Sequence, residues 1–222
     1  FTQNVTLNYG EMQGEGVYLV FNNVDLQAAL NVAHNANTLN IESTGGGNQL
    51  VGAGLNLGGA VSTMNVSGDA HLFVQGSLDG SFRNGNPAVI DASANTGGVN
   101  LALMGFNGQV TFNGTENADD RFVADGNAAV TTKGVTINGG DGDNEFSAFD
   151  VANQVEITSG DGNNQIVTSS NNDDASVEVG SGSNEITATA ATGTAAVNTG
   201  DGNNTIDTSG SQSAVVTTGD GN

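Results

Sequence analysis

The 222-residue chain has almost no basic residues, and this deficit limits what it can bind. It contains 3 Lys and Arg against 24 Asp and Glu, so its formal net charge is −21. A surface of this sign repels phosphate backbones and anionic lipid headgroups, which argues against nucleic acid and membrane-surface partners. No apolar run approaches the roughly 20 residues that a membrane-spanning helix needs, so we expect no membrane insertion.

Other residue types are also missing or rare. There is no Cys, no Trp and 1 Pro, and the lack of Cys excludes a disulfide-stapled scaffold. High net charge with few aromatics is typical of disordered chains, but 36% of the residues are hydrophobic and they recur at fixed spacing, which favours an ordered fold. The chain begins with Phe1 and stops within a motif at Gly221-Asn222, so we expect a processed product or a piece of a longer protein.

Groups suited to catalysis are scarce as well. His34 and His71 are the histidines, and Arg83, Arg121 and Lys133 are the only basic residues. The chain has no HExxH, G-x-S-x-G or P-loop motif. Parallel β-helix enzymes that act on acidic polysaccharides usually bring a basic side chain to the reacting carboxylate, and no Lys or Arg follows Lys133. We therefore expect no enzymatic activity, keep a polysaccharide-active β-helix enzyme as a distant alternative, and interpret His71 as a strand-face side chain.

The C-terminal half is built from a repeat of about 20 residues. The segments VTINGGDGDNEF, VEITSGDGNNQI, ASVEVGSGSNEI, AAVNTGDGNNTI and AVVTTGDGN begin at Val135, Val155, Ala175, Ala195 and Ala214. Apolar residues alternate on both sides of a glycine-rich turn, which is the pattern of two short strands with one buried face. One unit cannot bury that face alone, whereas stacked copies can. The sequence therefore predicts an all-β parallel solenoid (a β-helix or β-roll) with about 20 residues per coil in the C-terminal half.

The regularity of the repeat divides the chain. Residues 1–109 alternate apolar and polar positions less strictly and are predicted as an irregular β-solenoid or β-repeat region, and residues 110–222 as a regular solenoid. Within the first region, the segment DLQAALNVA is predicted as a helix with Asp25 as its N-cap.

An asparagine recurs three residues after each turn residue, at Asn144, Asn164, Asn184 and Asn204. Stacked amides can satisfy one another's donors and acceptors along the solenoid axis. A structural ladder is therefore favoured over metal ligation, because an amide oxygen is a weaker calcium ligand than a carboxylate.

The turn residue itself is acidic in four of the five repeats: Asp141, Asp161, Ser181, Asp201 and Asp220. Carboxylates stacked at the ~4.8 Å spacing of neighbouring strands repel each other by on the order of 1 kcal/mol per pair even in water, and a divalent cation between them would reverse that sign. The alternative is an Asx-turn, in which each Asp caps local backbone N–H groups. Ser181 shows that the turn does not demand a carboxylate.

The run GGDGDNEF, from Gly139 to Phe146, resembles the RTX nonapeptide G-G-x-G-x-D-x-U-x, whose family binds Ca²⁺ in a parallel β-roll. The resemblance covers about residues 110–222. It departs from the family by carrying Asn144 at the Asp position, and by one glycine-rich corner per coil instead of two. In VTFNGTENADDRF, Asp119 and Asp120 lie where the motif has its carboxylate. The resemblance implies Ca²⁺ as a cofactor, with these candidate ligands: Asp119, Asp120, Asp141, Asp143, Asp161, Asp201 and Asp220.

The Gly/Thr/Asn-rich segments before residue 110 resemble the β-repeats of bacterial S-layer proteins and large secreted adhesins. This resemblance implies a structural component of an extracellular, cell-surface assembly that is stabilised by Ca²⁺. Self-association into a lattice or fibre is expected, and a cell-surface glycan is a further expected partner. The alternative is a phage tail fibre or another virion appendage, in which the same solenoid serves as a shaft or receptor-binding module.

Overall fold

The computed structural model describes residues 4–9, 17–27, 30–33, 37–51, 55–58, 61–75, 78–80, 88–106, 108–126, 134–170 and 173–221. These residues form 23 β-strands and no helix. In chain order the strands are β1 (Asn4–Tyr9), β2 (Val17–Asn22), β3 (Asp25–Leu26), β4 (Leu30–Ala33), β5 (Thr38–Thr44), β6 (Asn48–Leu50), β7 (Leu55–Gly58), β8 (Thr63–Gly68), β9 (Leu72–Val74), β10 (Asp79–Gly80), β11 (Ala88–Asn95), β12 (Val99–Phe106), β13 (Gln109–Asn113), β14 (Arg121–Gly126), β15 (Gly134–Asn138), β16 (Glu145–Val151), β17 (Val155–Ser159), β18 (Gln165–Ser170), β19 (Ala175–Val179), β20 (Glu185–Ala190), β21 (Thr194–Thr199), β22 (Thr205–Asp207) and β23 (Ser213–Thr218).

Two long sheets run along the molecule. The first, sheet A, has the order β1-β2-β5-β8-β11-β13-β15-β17-β19-β21-β23, and the second, sheet B, has the order β3-β6-β9-β12-β14-β16-β18-β20-β22. Only the pair β1 and β2 is antiparallel within the described sheets; the neighbouring pairs that follow are parallel. The chain therefore passes through each sheet once per coil. The predicted fold class, an all-β parallel solenoid, is confirmed.

The coils between Val135 and Ala195 are uniform in length at 20 residues, whereas the coil before them has 25 residues and the coil after them has 19. Val155 pairs with Val135 on one side and with Ala175 on the other, and hydrogen bonds between equivalent residues join positions 20 apart. The first-column residues from Val135 to Ala195 and the second column, which lies two residues further on from Ile137 to Val197, are buried at 0 to 2% exposure. In the last strand, β23, the equivalent residues Ala214 and Val216 are exposed. The apolar alternation in the sequence thus corresponds to a stacked core, because successive side chains of a strand point to opposite faces.

The N-terminal coils are longer because they contain a third strand. Strands β4, β7 and β10 form a separate three-stranded parallel sheet. Equivalent residues here lie further apart than in the 20-residue coils that follow Val135, as Asn40 and Asn65 do at 25 residues. Sheet A continues through residues 109 and 110 without interruption, since β13 pairs with both β11 and β15.

The helix predicted from Asp25 is wrong. Asp25 and Leu26 form β3, and residues 30–33 form β4. Backbone N–H groups of the next coil reach this segment: those of Gln49 and Val51 donate to the carbonyls of Val24 and Leu26 at 2.7 and 2.6 Å. The segment's weak helical pattern is overridden because a strand here satisfies the backbone of its neighbour.

Aromatic side chains fill the middle of the core. The rings of Phe112 and Phe122 stack with centroids 4.3 Å apart, and Phe146 meets Phe112 edge-on at 6.1 Å. Phe122 and Phe146 occupy the position that Ile166 and Ile186 fill in the following coils. One large apolar residue per coil therefore closes the core from sheet B.

Two buried hydroxyls lack a partner, and this yields a stability prediction. Thr168 and Thr199 are 1% and 4% exposed, and neither Oγ1 has a hydrogen-bond partner among the described residues. Replacing either with Val should stabilise the protein by about 1 kcal/mol, because a buried hydroxyl without a partner costs about 1–3 kcal/mol. For a chain of this size the melting temperature should rise by about 2–4 °C.

The matched control is Thr158→Val, because Thr158 lies on the outer face and its hydroxyl donates to Oδ1 of Asn138 at 3.0 Å. Thermal unfolding followed by circular dichroism compares the three variants. An equal gain in Thr158→Val would show that β-propensity, not the relief of an unpaired hydroxyl, raises the melting temperature.

Candidate functional site

The glycine-rich corner joins sheet A to sheet B and brings three sets of polar residues into register. The corner column contains the turn residues Asp141, Asp161, Ser181, Asp201 and Asp220. The second column lies two residues further on and contains Asp119, Asp143, Asn163 and Ser183. The inner column contains the residue just before each of strands β14, β16, β18, β20 and β22, namely Asp120, Asn144, Asn164, Asn184 and Asn204.

The corner requires glycine because successive coils touch there through their backbones. Gly162 has a φ of +140°, and a Cβ at this position would lie 2.1 Å from the carbonyl oxygen of Gly142. The same overlap, at 1.9 Å, would occur between Gly182 and Gly162. Glycine thus supplies both the left-handed conformation and the close approach that stacks the polar columns.

The inner column forms a buried hydrogen-bonded ladder. The backbone N–H of Asn144 donates to Oδ1 of Asn164 at 3.2 Å, and that of Asn164 donates to Oδ1 of Asn184 at 3.0 Å. Each amide also closes its own corner, since Nδ2 of Asn164 donates to the carbonyls of Gly160 and Gly162. Asn144, Asn164 and Asn184 are 1 to 2% exposed. The amides therefore satisfy backbone groups that water cannot reach.

Asp120 occupies the inner column one coil earlier than Asn144. Its backbone N–H donates to Oδ1 of Asn144 at 2.9 Å, and its own Oδ1 accepts the N–H of Val99 at 2.9 Å. Its Oδ2 accepts the N–H and the hydroxyl of Thr115 at 2.6 and 3.0 Å. The side chain is 2% exposed. Burial raises the pKa of Asp120 above its ordinary value of 3.8, and the hydrogen bonds from Thr115 and Val99 oppose that rise.

The carboxylates of the corner column bind the backbone of the next coil. Oδ1 of Asp141 accepts the N–H of Asp161 at 2.9 Å, Oδ1 of Asp161 accepts the N–H of Ser181 at 2.6 Å, and Oδ1 of Asp201 accepts the N–H of Asp220 at 2.7 Å. These contacts join coils, so they differ from the local Asx-turn considered as the alternative to a cation. All five residues of the column are exposed.

The second column repeats this arrangement two residues further along the corner. Oδ1 of Asp119 accepts the N–H of Asp143 at 2.8 Å, and Oδ1 of Asp143 accepts the N–H of Asn163 at 2.7 Å. Asn163 continues the pattern by accepting the N–H of Ser183 at 2.9 Å. Asp119 and Asp143 are exposed.

The predicted calcium ligands are therefore distributed over three places. Asp120 is buried in the inner column, whereas its neighbour Asp119 is exposed in the second column, so the two do not act as one carboxylate pair. Within the described part of the chain, no group of three or more His, Asp or Glu side chains is arranged to hold a metal ion. The corner offers stacked pairs of carboxylates, and those of Asp119, Asp141, Asp143, Asp161 and Asp201 each have one oxygen engaged by a backbone N–H. This donor set does not close a cage of the kind Ca²⁺ prefers.

Two residues with the role of the inner column were not predicted as such: Asp120, and Asn48, which is the first residue of β6. Oδ1 of Asn48 accepts the N–H of Val24 at 2.8 Å, and its Nδ2 donates to the hydroxyl of Ser43 at 2.7 Å. The signal was present, because the run GNQL around Asn48 matches GNNQI around Asn164. Likewise DDRF around Asp120 matches DNEF around Asn144, which places Asp120 in the ladder position.

Other charged groups lie near this column. His71 lies one residue before β9 instead of on its face, and its carbonyl accepts the N–H of Asn48 at 2.8 Å. Burial lowers the pKa of His71, and the Asp120 carboxylate opposes that change. On the outside of sheet B, Nε of Arg121 lies 2.9 Å from Oε1 of Glu145, with both side chains about two-fifths exposed. Such a surface pair contributes little stability. His34 lies outside the described residues.

No protein-family model, curated protein or solved structure matches the chain. Across the part of the chain that the structure describes, no helix is long and apolar enough to cross a membrane.

Proposed function

We propose that the chain is a structural component of an extracellular surface assembly of the S-layer or adhesin type. The observation that carries this proposal is the continuity of the ladder: from Asp120 to Asn204 each coil binds the next through the same polar column, which is buried as far as Asn184. A rod in which every coil repeats one set of contacts transmits load along its axis and can be lengthened without changing its cross-section.

Calcium enters the proposal as a counter-ion of the exposed corner. Three pairs of carboxylates lie in adjacent coils of one column: Asp141 with Asp161, Asp201 with Asp220, and Asp119 with Asp143. At the ~4.8 Å spacing of adjacent strands, each pair costs on the order of 1 kcal/mol in water. A divalent cation near the free oxygens would offset that repulsion. Folding would then be favoured outside the cell, where calcium is abundant.

The test is thermal unfolding in EDTA, in a few millimolar CaCl₂ and in MgCl₂ at equal ionic strength. We expect a calcium-specific rise in melting temperature of about 5 °C, because relieving about 2 kcal/mol of repulsion shifts a domain of this size by that amount. Sedimentation and negative-stain microscopy of the same samples should show larger assemblies in CaCl₂.

The matched control is the double variant Asp141→Asn/Asp161→Asn. It should melt higher than the parent in EDTA and gain less from CaCl₂, because the Asn carbonyl still accepts the next coil's N–H without the charge. Equal melting of the parent in all three buffers would remove calcium from the proposal. Absence of larger assemblies under every condition would contradict the structural role.

A further inference from the structure

The outer face of sheet A carries a second polar column, separate from the corner. From β2 to β15 its members are Tyr18, Asn40, Asn65, Asp91, Asn113 and Asn138, and consecutive members face each other across neighbouring strands. They point away from the core, because they alternate with buried residues such as Leu39 and Ile41. We call this set the outer amide column.

The outer amide column is ordered but keeps hydrogen-bonding capacity. Nδ2 of Asn65 donates to Oδ1 of Asn40 at 2.8 Å, and Nδ2 of Asn138 donates to Oδ1 of Asn113 at 3.0 Å. Each amide has two donor hydrogens and two lone pairs, so these contacts fix the side chains and leave further donors and acceptors directed outward. Asp91, in the centre, uses its Oδ1 to accept the N–H and hydroxyl of Ser93.

An aromatic ring lies at one end of this column. Tyr18 is 49% exposed and is paired with Asn40. A half-exposed tyrosine presents a large apolar face together with a polar tip. Sugar rings bind proteins through this combination, since their C–H faces stack on aromatic rings and their hydroxyls pair with amides and carboxylates.

Charge and spacing define the class of ligand. The outer amide column has one carboxylate among its six residues, whereas the chain as a whole has a net charge of −21. An anionic polymer is therefore repelled and a neutral one is not. Adjacent strands are ~4.8 Å apart, which is close to the advance of one hexose in an extended β-1,4-linked chain. A neutral polysaccharide lying along the solenoid axis would therefore place about one sugar on each coil.

We propose that the outer amide column, with Tyr18 at its end, binds an extended neutral β-1,4-linked polysaccharide. This surface shares no residue with the three columns of the corner, and it goes beyond the scaffold role, because a scaffold needs no ligand. Asp91 and the neighbouring amides form hydrogen bonds with the hydroxyl groups of the sugars, and Tyr18 stacks on the face of a sugar ring at the end of the column.

The test is native gel electrophoresis of the full chain in gels containing hydroxyethyl cellulose, carboxymethyl cellulose or laminarin, with titration of cellohexaose by calorimetry. We expect retardation by hydroxyethyl cellulose alone, since carboxymethyl cellulose is anionic and laminarin is not extended. Tyr18→Ala removes the stacking contact and Asp91→Ala removes one charged hydrogen bond. Each variant should weaken cellohexaose binding about tenfold.

Asn198→Ala is the matched control, because Asn198 is exposed at the equivalent position of β21 beyond the column, and it should bind as the parent does. In the unmutated protein, NMR side-chain amide signals of Asn40, Asn65 and Asn113 should shift with cellohexaose while that of Asn164 does not. No retardation, equal retardation by laminarin, or binding unaffected by both Tyr18→Ala and Asp91→Ala would each overturn the proposal. None of these results bears on the calcium-dependent melting that tests the scaffold role.

Discussion

Asn164→Ala is expected to destabilise the protein by about 3–4 kcal/mol, since each buried polar group left unpaired costs about 1–3 kcal/mol. The substitution removes the Oδ1 that accepts the N–H of Asn144 and the hydroxyl of Ser159, at 3.2 and 2.9 Å. It also removes the Nδ2 that donates to two glycine carbonyls and to Asn184. The melting temperature should fall by about 10 °C.

The neighbouring residue provides the control. Asn163 accepts the N–H of Ser183 at 2.9 Å in the same way, but it is exposed, so water replaces its side chain. Asn163→Ala should therefore cost less than about 1 kcal/mol. Urea unfolding of both variants measures the difference. A similar loss of unfolding free energy in Asn164→Ala and Asn163→Ala would show that burial adds nothing to the stability of the ladder.

The columns of the C-terminal half could be predicted from sequence because their period is constant. With 20 residues per coil, Asn144, Asn164 and Asn184 align by counting alone, and the corner glycines mark the register. The N-terminal half lacks this signal. There the third strand changes the coil length, so the outer amide column joins Asn40 to Asn65 across 25 residues and could not be aligned by a fixed period.

The roles of the acids were harder to predict than their positions. Asp119 and Asp120 are adjacent, yet one is exposed and the other is 2% exposed, because successive side chains before a strand point to opposite sides of the chain. Sequence shows only that two carboxylates lie near a turn. Which of them replaces an asparagine of the ladder depends on Thr115, whose N–H and hydroxyl both point at Oδ2 of Asp120.

Asp120→Asn is expected to change both the stability and its dependence on pH. At pH 7 the free energy of unfolding of the variant should be lower by about 1–2 kcal/mol. The Nδ2 of asparagine cannot accept the N–H of Thr115, and an unpaired buried N–H costs about 1–3 kcal/mol. Removing a buried charge offsets part of that cost. The bond to Val99 is kept, since Oδ1 of asparagine accepts it as the other ladder members do.

The sign of the pH effect follows from the raised pKa of Asp120. Because its pKa in the folded protein lies above the ordinary value of 3.8, the folded state holds the proton more tightly than the unfolded state. The stability that this group contributes is fully present below pH 3.8 and is lost as the pH rises through the pKa of the folded state. Asparagine does not titrate, so the stability difference between parent and variant should widen as the pH falls from 7 towards 4.

Urea unfolding of both proteins at closely spaced pH values between 7 and 4 measures this difference directly. Acidification also relieves the general repulsion within a chain that has a net charge of −21. That effect cancels almost entirely when the variant's curve of unfolding free energy against pH is subtracted from the parent's. Glu156→Gln removes the same charge from an exposed position whose neighbours across the sheet, Thr136 and Ser176, are uncharged, and it corrects for the remainder. If the corrected difference stays constant or narrows on acidification, the three hydrogen bonds stabilise the buried carboxylate of Asp120 at least as much as burial penalises it, and the pKa of Asp120 is not raised.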